Sequence, residues 1–96
     1  MRITWDEAKN HSNQRKHGVS FEEAQEFFIS GTDYLEIFDD GHSDDEDRFI
    51  AIGFILRGLV VVVWTQRDDD ILRIISARAA TKNESTFFHA HMTGTA

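Results

Sequence analysis

Apolar and polar positions alternate along the chain in several rhythms, and each rhythm predicts a different element. Phe21, Ala24, Phe27 and Phe28 recur at helical spacing, which predicts a helix from Phe21 to about Ile29 with a core-facing stripe. Ser30-Gly31 ends it. Tyr34 to Phe38, Arg48 to Leu56, Leu59 to Gln66 and Ile71 to Ala77 read as four strands, and the short connections between them predict an antiparallel meander. Val60 to Val63 is apolar at every position, so that strand should be central and covered on both faces. Arg57-Gly58 splits the apolar stretch Phe49 to Trp64 into two strand-length halves, which predicts a buried hairpin rather than a membrane span.

The ends of the chain read as helices. A hydroxyl residue followed three positions later by glutamate occurs at Thr4/Glu7, Ser20/Glu23 and Thr81/Glu84. In a capping box the hydroxyl accepts from an early helical amide while the glutamate reaches back to the cap amide. A first helix is expected from about Trp5 to Lys16, stopping at Gly18. It is polar nearly all round, with Trp5 and Ala8 as its main apolar contacts, so it is expected to present residues rather than bury a stripe. A last helix, Lys82 to Met92, sets Phe88 and Met92 on one side. The expectation is one α+β domain over residues 1–96: two N-terminal helices, a four-stranded antiparallel meander and a C-terminal helix.

Composition narrows the chemistry. There is no cysteine among the 96 residues, which excludes disulfides, thiolate metal sites and cysteine nucleophiles. The start, MRITWDEAK, has no apolar targeting core, so a cytoplasmic location with no membrane contact is expected. The net charge is −7, but it is unevenly spread. Residues 18–47 carry eleven acids and no Lys or Arg, whereas residues 1–17 and 48–96 are each +2. A cationic site for an anion is compatible with that layout, against the field of the whole molecule.

Strand registers sharpen this. With Arg57-Gly58 as a two-residue turn, Arg48 pairs with Arg67; with Asp68 to Asp70 as a three-residue loop, Thr65 pairs with Arg73. Arg48, Thr65, Arg67 and Arg73 then share one face near one end of the sheet. Clustered like charges call for an anion among them, and the guanidinium fork matches phosphate oxygens. Neutralisation by the acidic loop Asp44 to Asp47 or by the Asp68 to Asp70 turn is the competing reading. Lys16-His17-Gly18 sets a cation and an imidazole at a helix end, suited to proton transfer or simply to capping. His89 and His91 are spaced i,i+2, which points them apart on a helix. His42 among Asp39, Asp40, Asp44 and Asp45 lacks calcium-loop spacing, so it reads as a solvated acidic loop. No metal site or cofactor is expected.

These residues resemble a known family, the BrnT toxins of bacterial type II toxin–antitoxin systems. The likeness runs through Ile3-Thr4-Trp5-Asp6, Lys9, Asn13 and Lys16-His17-Gly18-Val19-Ser20-Phe21 with Ala24. It continues through Arg48-Phe49-Ile50-Ala51-Ile52-Gly53, Val62-Val63, Thr65 and Arg67, then Arg73-Ile74-Ile75-Ser76-Ala77-Arg78 and Ala80-Thr81-Lys82. The resemblance implies a RelE-like fold, endoribonuclease activity that arrests translation, and neutralisation by a BrnA-like antitoxin with a ribbon-helix-helix domain, in a heterotetramer. It further implies metal-independent attack of the RNA 2′-hydroxyl on the adjacent phosphate. Arg67, Arg73 and Arg78 would then stabilise charge, with Lys16 and His17 in proton transfer or phosphate contact and Arg48 in phosphate binding. Where the family pattern has a basic helix with a tyrosine, this chain reads Lys82-Asn83-Glu84-Ser85-Thr86-Phe87-Phe88. That departure sets beside the enzyme a second reading, a non-catalytic antitoxin-binding module that takes part in transcriptional autoregulation.

Overall fold

A computed structural model describes residues 1–42 and 46–92, without the side chain of His42. Ten elements follow one another: β1 (Arg2–Thr4), α1 (Glu7–His17), α2 (Phe21–Ala24), α3 (Glu26–Ser30), β2 (Leu35–Phe38), a 3-10 turn (Asp40–His42), β3 (Arg48–Ile55), β4 (Gly58–Arg67), β5 (Ile71–Ala79) and α4 (Lys82–Met92). The sheet has five strands in the order β1-β5-β4-β3-β2. The four-strand meander is present as expected, with β4 at its centre. The fifth strand, β1, was not anticipated. It lies parallel to β5, with Arg2 opposite Ile71 and Thr4 opposite Arg73, so the sheet is mixed rather than purely antiparallel. Three residues are too few for an alternating pattern to register, which is why the sequence hid it.

Recruiting Thr4 into β1 also moves the first helix start. Asp6 is the N-cap, accepting from the Lys9 amide at 3.1 Å, and Gly18 closes α1 in the left-handed region at φ 73°. The Ser20/Glu23 and Thr81/Glu84 boxes form as read: both Ser20 and Thr81 accept from the glutamate amide, and both glutamates accept from the cap amide. The expected second helix breaks at Gln25 into α2 and α3.

Helices α1 to α3 cover one face of the sheet and α4 the other. Under α1 to α3, Phe21, Ala24, Phe27, Ala51, Val62, Leu72, Ile74 and Ala77 are fully buried. Under α4, Phe88 packs on Ile52 and Val61, with Leu35, Ile37, Ile50, Leu59 and Met92 around them. Two covered faces explain the apolar run Val60 to Val63.

The polar helix α1 is not mainly a display surface; asparagines dock it. Buried Asn13 donates through Nδ2 to the carbonyls of Val19 (2.9 Å) and Ala77 (2.7 Å), while its Oδ1 accepts from the Ala77 amide (3.2 Å). The side-chain amide thus does for β5 what a neighbouring strand would do, beyond the point where β1 ends. Asn10, also buried, donates to Glu7 and Glu22 and accepts from the Phe21 amide.

Candidate active site

The β3–β4 turn falls at Leu56-Arg57, so Arg48 faces Thr65 and not Arg67. The expected register is displaced by two residues. An even displacement leaves side-chain parity intact, and Arg48, Thr65 and Arg67 still share the face expected of them. On the other side of β4 the pairings Thr65 with Arg73 and Arg67 with Ile71 are as read. Two rows of side chains therefore cross the end of the sheet. One runs Arg48, Thr65, Arg73, Thr4 across β3, β4, β5 and β1; the next runs Arg67, Ile71, Arg2 across β4, β5 and β1. Neighbouring positions in a row are about 5 Å apart.

Arg2, Thr4, Arg67, Ile71 and Arg73 line an open depression of about 410 Å³. Arg2 was not singled out in the sequence, because its place depends on β1. Arg67 Nη2 lies 3.1 Å from Glu46 Oε2, an exposed guanidinium on a half-buried carboxylate. Among the described residues Arg2 and Arg73 form no ion pair. Arg48 is half-buried at the β3 end of the first row and does not line the depression. Buried Thr65 spends its hydroxyl on the Asp47 carbonyl at 2.6 Å. Of the acidic loop that was to neutralise the arginines, Glu46 does pair with Arg67, while Asp44 and Asp45, also of the loose cation reading, lie outside the described residues.

Arg78 reaches the same sheet face by a β-bulge. The pairing of β4 with β5 shifts by one residue between Val63 and Trp64, and one extra residue reverses parity along the rest of a strand. Arg78 then faces Val61 and meets α4. Its guanidinium makes two 2.7 Å bonds to the Glu84 carboxylate. That fork holds Glu84 at a pKa of about 2, well below the ordinary 4.5, and raises Arg78. Arg78 is tied to the start of α4 rather than turned to the depression.

Lys16 and His17 stand elsewhere. Both are exposed at the end of α1, beside Gly18, whose carbonyl accepts from Arg57 in the β3–β4 turn. Gly58 and Thr65 are separated by about 23 Å at the usual rise along a strand, and α1 covers the opposite face. The structure brings Arg67 and Arg73 together with Arg2, keeps Arg48 in the row of Arg73 only, and leaves Lys16 and His17 apart. Among the described residues no three His, Asp or Glu side chains gather as a metal site, and no helix is long and apolar enough to cross a membrane.

Comparison with known proteins meets this geometry. The family model described as the ribonuclease toxin BrnT of type II toxin–antitoxin systems matches residues 5–84. The chain belongs to the BrnT family. The crystal structure of the Brucella abortus ribonuclease toxin BrnT superimposes with a TM-score of 0.66 at 30% identity, covering 85% of this chain and 99% of that one. No curated protein matches. The family match begins after β1, so Arg2 and Thr4 lie outside it, whereas Arg48, Arg67, Arg73 and Arg78 lie inside.

Proposed function

We propose that this BrnT-family chain is a metal-independent endoribonuclease toxin that arrests translation by cutting RNA at a phosphate held on Arg67 and Arg73. The convergence of those two guanidiniums on one open depression carries the reading. RNA brings its own nucleophile: the 2′-hydroxyl attacks the adjacent phosphorus, the P–O2′ bond forms, and the P–O5′ bond breaks. The 2′-hydroxyl proton goes to a carboxylate, for which Glu46, already touching Arg67, is the best-sited acceptor. The leaving 5′ oxygen takes a proton from solvent. Negative charge builds on the phosphorane oxygens, and pre-set guanidiniums stabilise that charge more than the ground state. Arg48 extends the cationic row toward a neighbouring phosphate.

The distances weigh against Lys16 and His17 acting at that same phosphate, and the Glu84 fork weighs against Arg78 doing so in this conformation. As a toxin of a type II system the chain is expected to act in the cytoplasm and to be covered by a BrnA-like ribbon-helix-helix antitoxin in a heterotetramer. The test is purified protein with RNA in EDTA, scored for 2′,3′-cyclic phosphate and 5′-hydroxyl ends. Such ends, lost in Arg67→Ala, are expected. Intact RNA from folded wild-type protein, with ribosomes present or absent, would overturn the nuclease. One observation favours a second reading: Arg78 is sequestered by Glu84 and the following helix offers Phe87 and Phe88 where the family pattern has tyrosine. In that reading the chain is an antitoxin-binding module for autoregulation, and intact RNA together with stable antitoxin binding is its signature.

A further inference from the structure

Strand β1 adds two polar side chains to the arginine face, and both lie outside the span that the family model matches. Arg2 stands opposite Ile71 and Thr4 opposite Arg73, and both line the open depression with Arg67, Ile71 and Arg73. The Arg2 amide donates to the Asp70 carbonyl at 2.8 Å, which fixes where β1 begins. Arg2 is exposed and Arg73 half-buried. Among the described residues neither guanidinium has an ion-pair or hydrogen-bond partner, and the Thr4 hydroxyl has none. Strands about 4.8 Å apart and a two-residue step of about 6.6 Å set the spacing of the cations. Arg67 to Arg73 and Arg73 to Arg2 are diagonals of about 8 Å between Cα atoms, and Arg67 to Arg2 spans two strand gaps, about 10 Å.

We infer that Arg2 and Thr4 form a second phosphate subsite, holding the next phosphate of the RNA strand on the β1 side of the one being cut; the scissile phosphate on Arg67 and Arg73 rests on the ribonuclease reading above. Consecutive phosphates of a strand lie one nucleotide apart, a step of the same order as the Arg73 to Arg2 separation. Three like charges with one carboxylate among them call for more anion than one phosphate supplies. The guanidinium fork of Arg2 matches phosphate oxygens, and a threonine hydroxyl donates to them. Such contacts set the position of the strand and read no base. The substrate class is therefore an RNA with a phosphodiester beside the cut, chosen by length and not by sequence at this subsite. A phosphate remote from the reacting bond is held equally in the ground and transition states, so Arg2 acts on KM more than on kcat.

The experiment uses the full chain and uncuttable probes, the 2′-O-methyl forms of UpU and UpUpU without terminal phosphates, followed by amide shifts in an NMR titration. The trinucleotide, with its second phosphate, should bind at least tenfold more tightly than the dinucleotide. Arg2→Ala should keep the thermal melt and reduce that advantage below about threefold. It should also flatten the slope of log affinity against log salt by about 0.7, the share of one phosphate contact on a single strand. Arg2→Lys keeps a charge without the fork and should recover part of the advantage, whereas Arg67→Ala should weaken both probes alike. Equal binding of the two probes, an Arg2→Ala variant that weakens both alike, or a glutamate peptide of matched charge binding as tightly as the trinucleotide would each overturn the subsite. Cleavage of unmodified UpUpU separates the two readings. Cutting without a trinucleotide advantage removes the subsite and keeps the nuclease, and the advantage without cutting keeps the subsite and removes the nuclease. Where cutting occurs, Arg2→Ala should raise KM about tenfold and change kcat far less.

Discussion

Arg67 and Arg78 carry the same side chain on the same sheet face, and each meets one carboxylate, Glu46 and Glu84. Arg67 pairs with half-buried Glu46 at the surface, with 54% and 31% of their side chains exposed, so the pair adds under about 1 kcal/mol to stability. Arg67→Ala should therefore leave the melting temperature nearly unchanged while cutting RNA cleavage roughly a hundredfold or more, the usual cost of one pre-set donor to developing charge. His17→Ala, at the exposed far end of α1, should spare cleavage and change stability by no more than about 0.5 kcal/mol, the level of an ordinary surface change. A hundredfold loss of rate in His17→Ala would move the reacting phosphate away from the arginines. Arg78 and Glu84 form the structural pair. Because the folded Glu84 pKa of about 2 lies below the ordinary 4.5, its contribution is full above pH 4.5 and is lost as pH falls toward 2. With Arg78 39% exposed, screening holds that contribution to about 1–2 kcal/mol. Urea melts of wild type and Glu84→Gln should differ by that amount at pH 7 and converge near pH 2. The shared face of Arg48, Arg67 and Arg73 was legible in the sequence because parity survives a two-residue slip. The position of Arg78 was not, since a bulge leaves no mark on an apolar strand.

At the scale of elements, the sequence was legible where local chemistry decides and silent where a distant partner does. Ser20/Glu23 and Thr81/Glu84 are self-contained capping boxes, and both form. Thr4/Glu7 has the same letters, yet pairing with Arg73 in β5 takes Thr4 into a strand and leaves the cap to Asp6. Helix α1 has no apolar stripe to read because its adhesion is polar. Asn13→Ala removes three hydrogen bonds and strands the Ala77 amide and carbonyl at the open part of the β5 edge. It should cost about 2–4 kcal/mol in chemical denaturation, and hydrogen exchange at Ala77 should rise with it. A loss under 0.5 kcal/mol, roughly the level of an ordinary surface change, would mean that water replaces Asn13 freely. Gly53 marks a close approach of β3 to α3 and to Tyr34 just ahead of β2. A Cβ there would lie 2.9 Å from Phe27 Cδ2 and Tyr34 Cβ, and Gly53→Ala should cost about 1–3 kcal/mol by overpacking, read in the same denaturation series.

At the scale of the whole molecule, the acids between α3 and the 3-10 turn gather toward one side of the sheet. Glu22, Glu23, Glu26, Asp33, Glu36, Asp39 and Asp40 lie on α2, α3, β2 and their connections. Strand β2 is the edge opposite β1, so most of this acid stands across the sheet from Arg2 and Arg73. A net charge of −7 opposes RNA at long range, and capture by the arginines is then a short-range event with little steering. A basic partner meets the opposite situation. An antitoxin segment rich in Lys and Arg would be drawn first to the acidic side and edge strand β2, and only then brought over the cationic rim. Its association rate should fall by about tenfold or more between low and physiological ionic strength, with a much smaller change in dissociation. Stopped-flow mixing with the partner across a salt series reads both rates. Charge reversal of Glu36 and Asp39 to Lys should flatten the association slope while leaving Arg67-dependent cleavage in place. An association rate indifferent to salt would leave the acidic side without a part in recognition, and the eleven acids would then serve solubility and the protection of an open sheet edge.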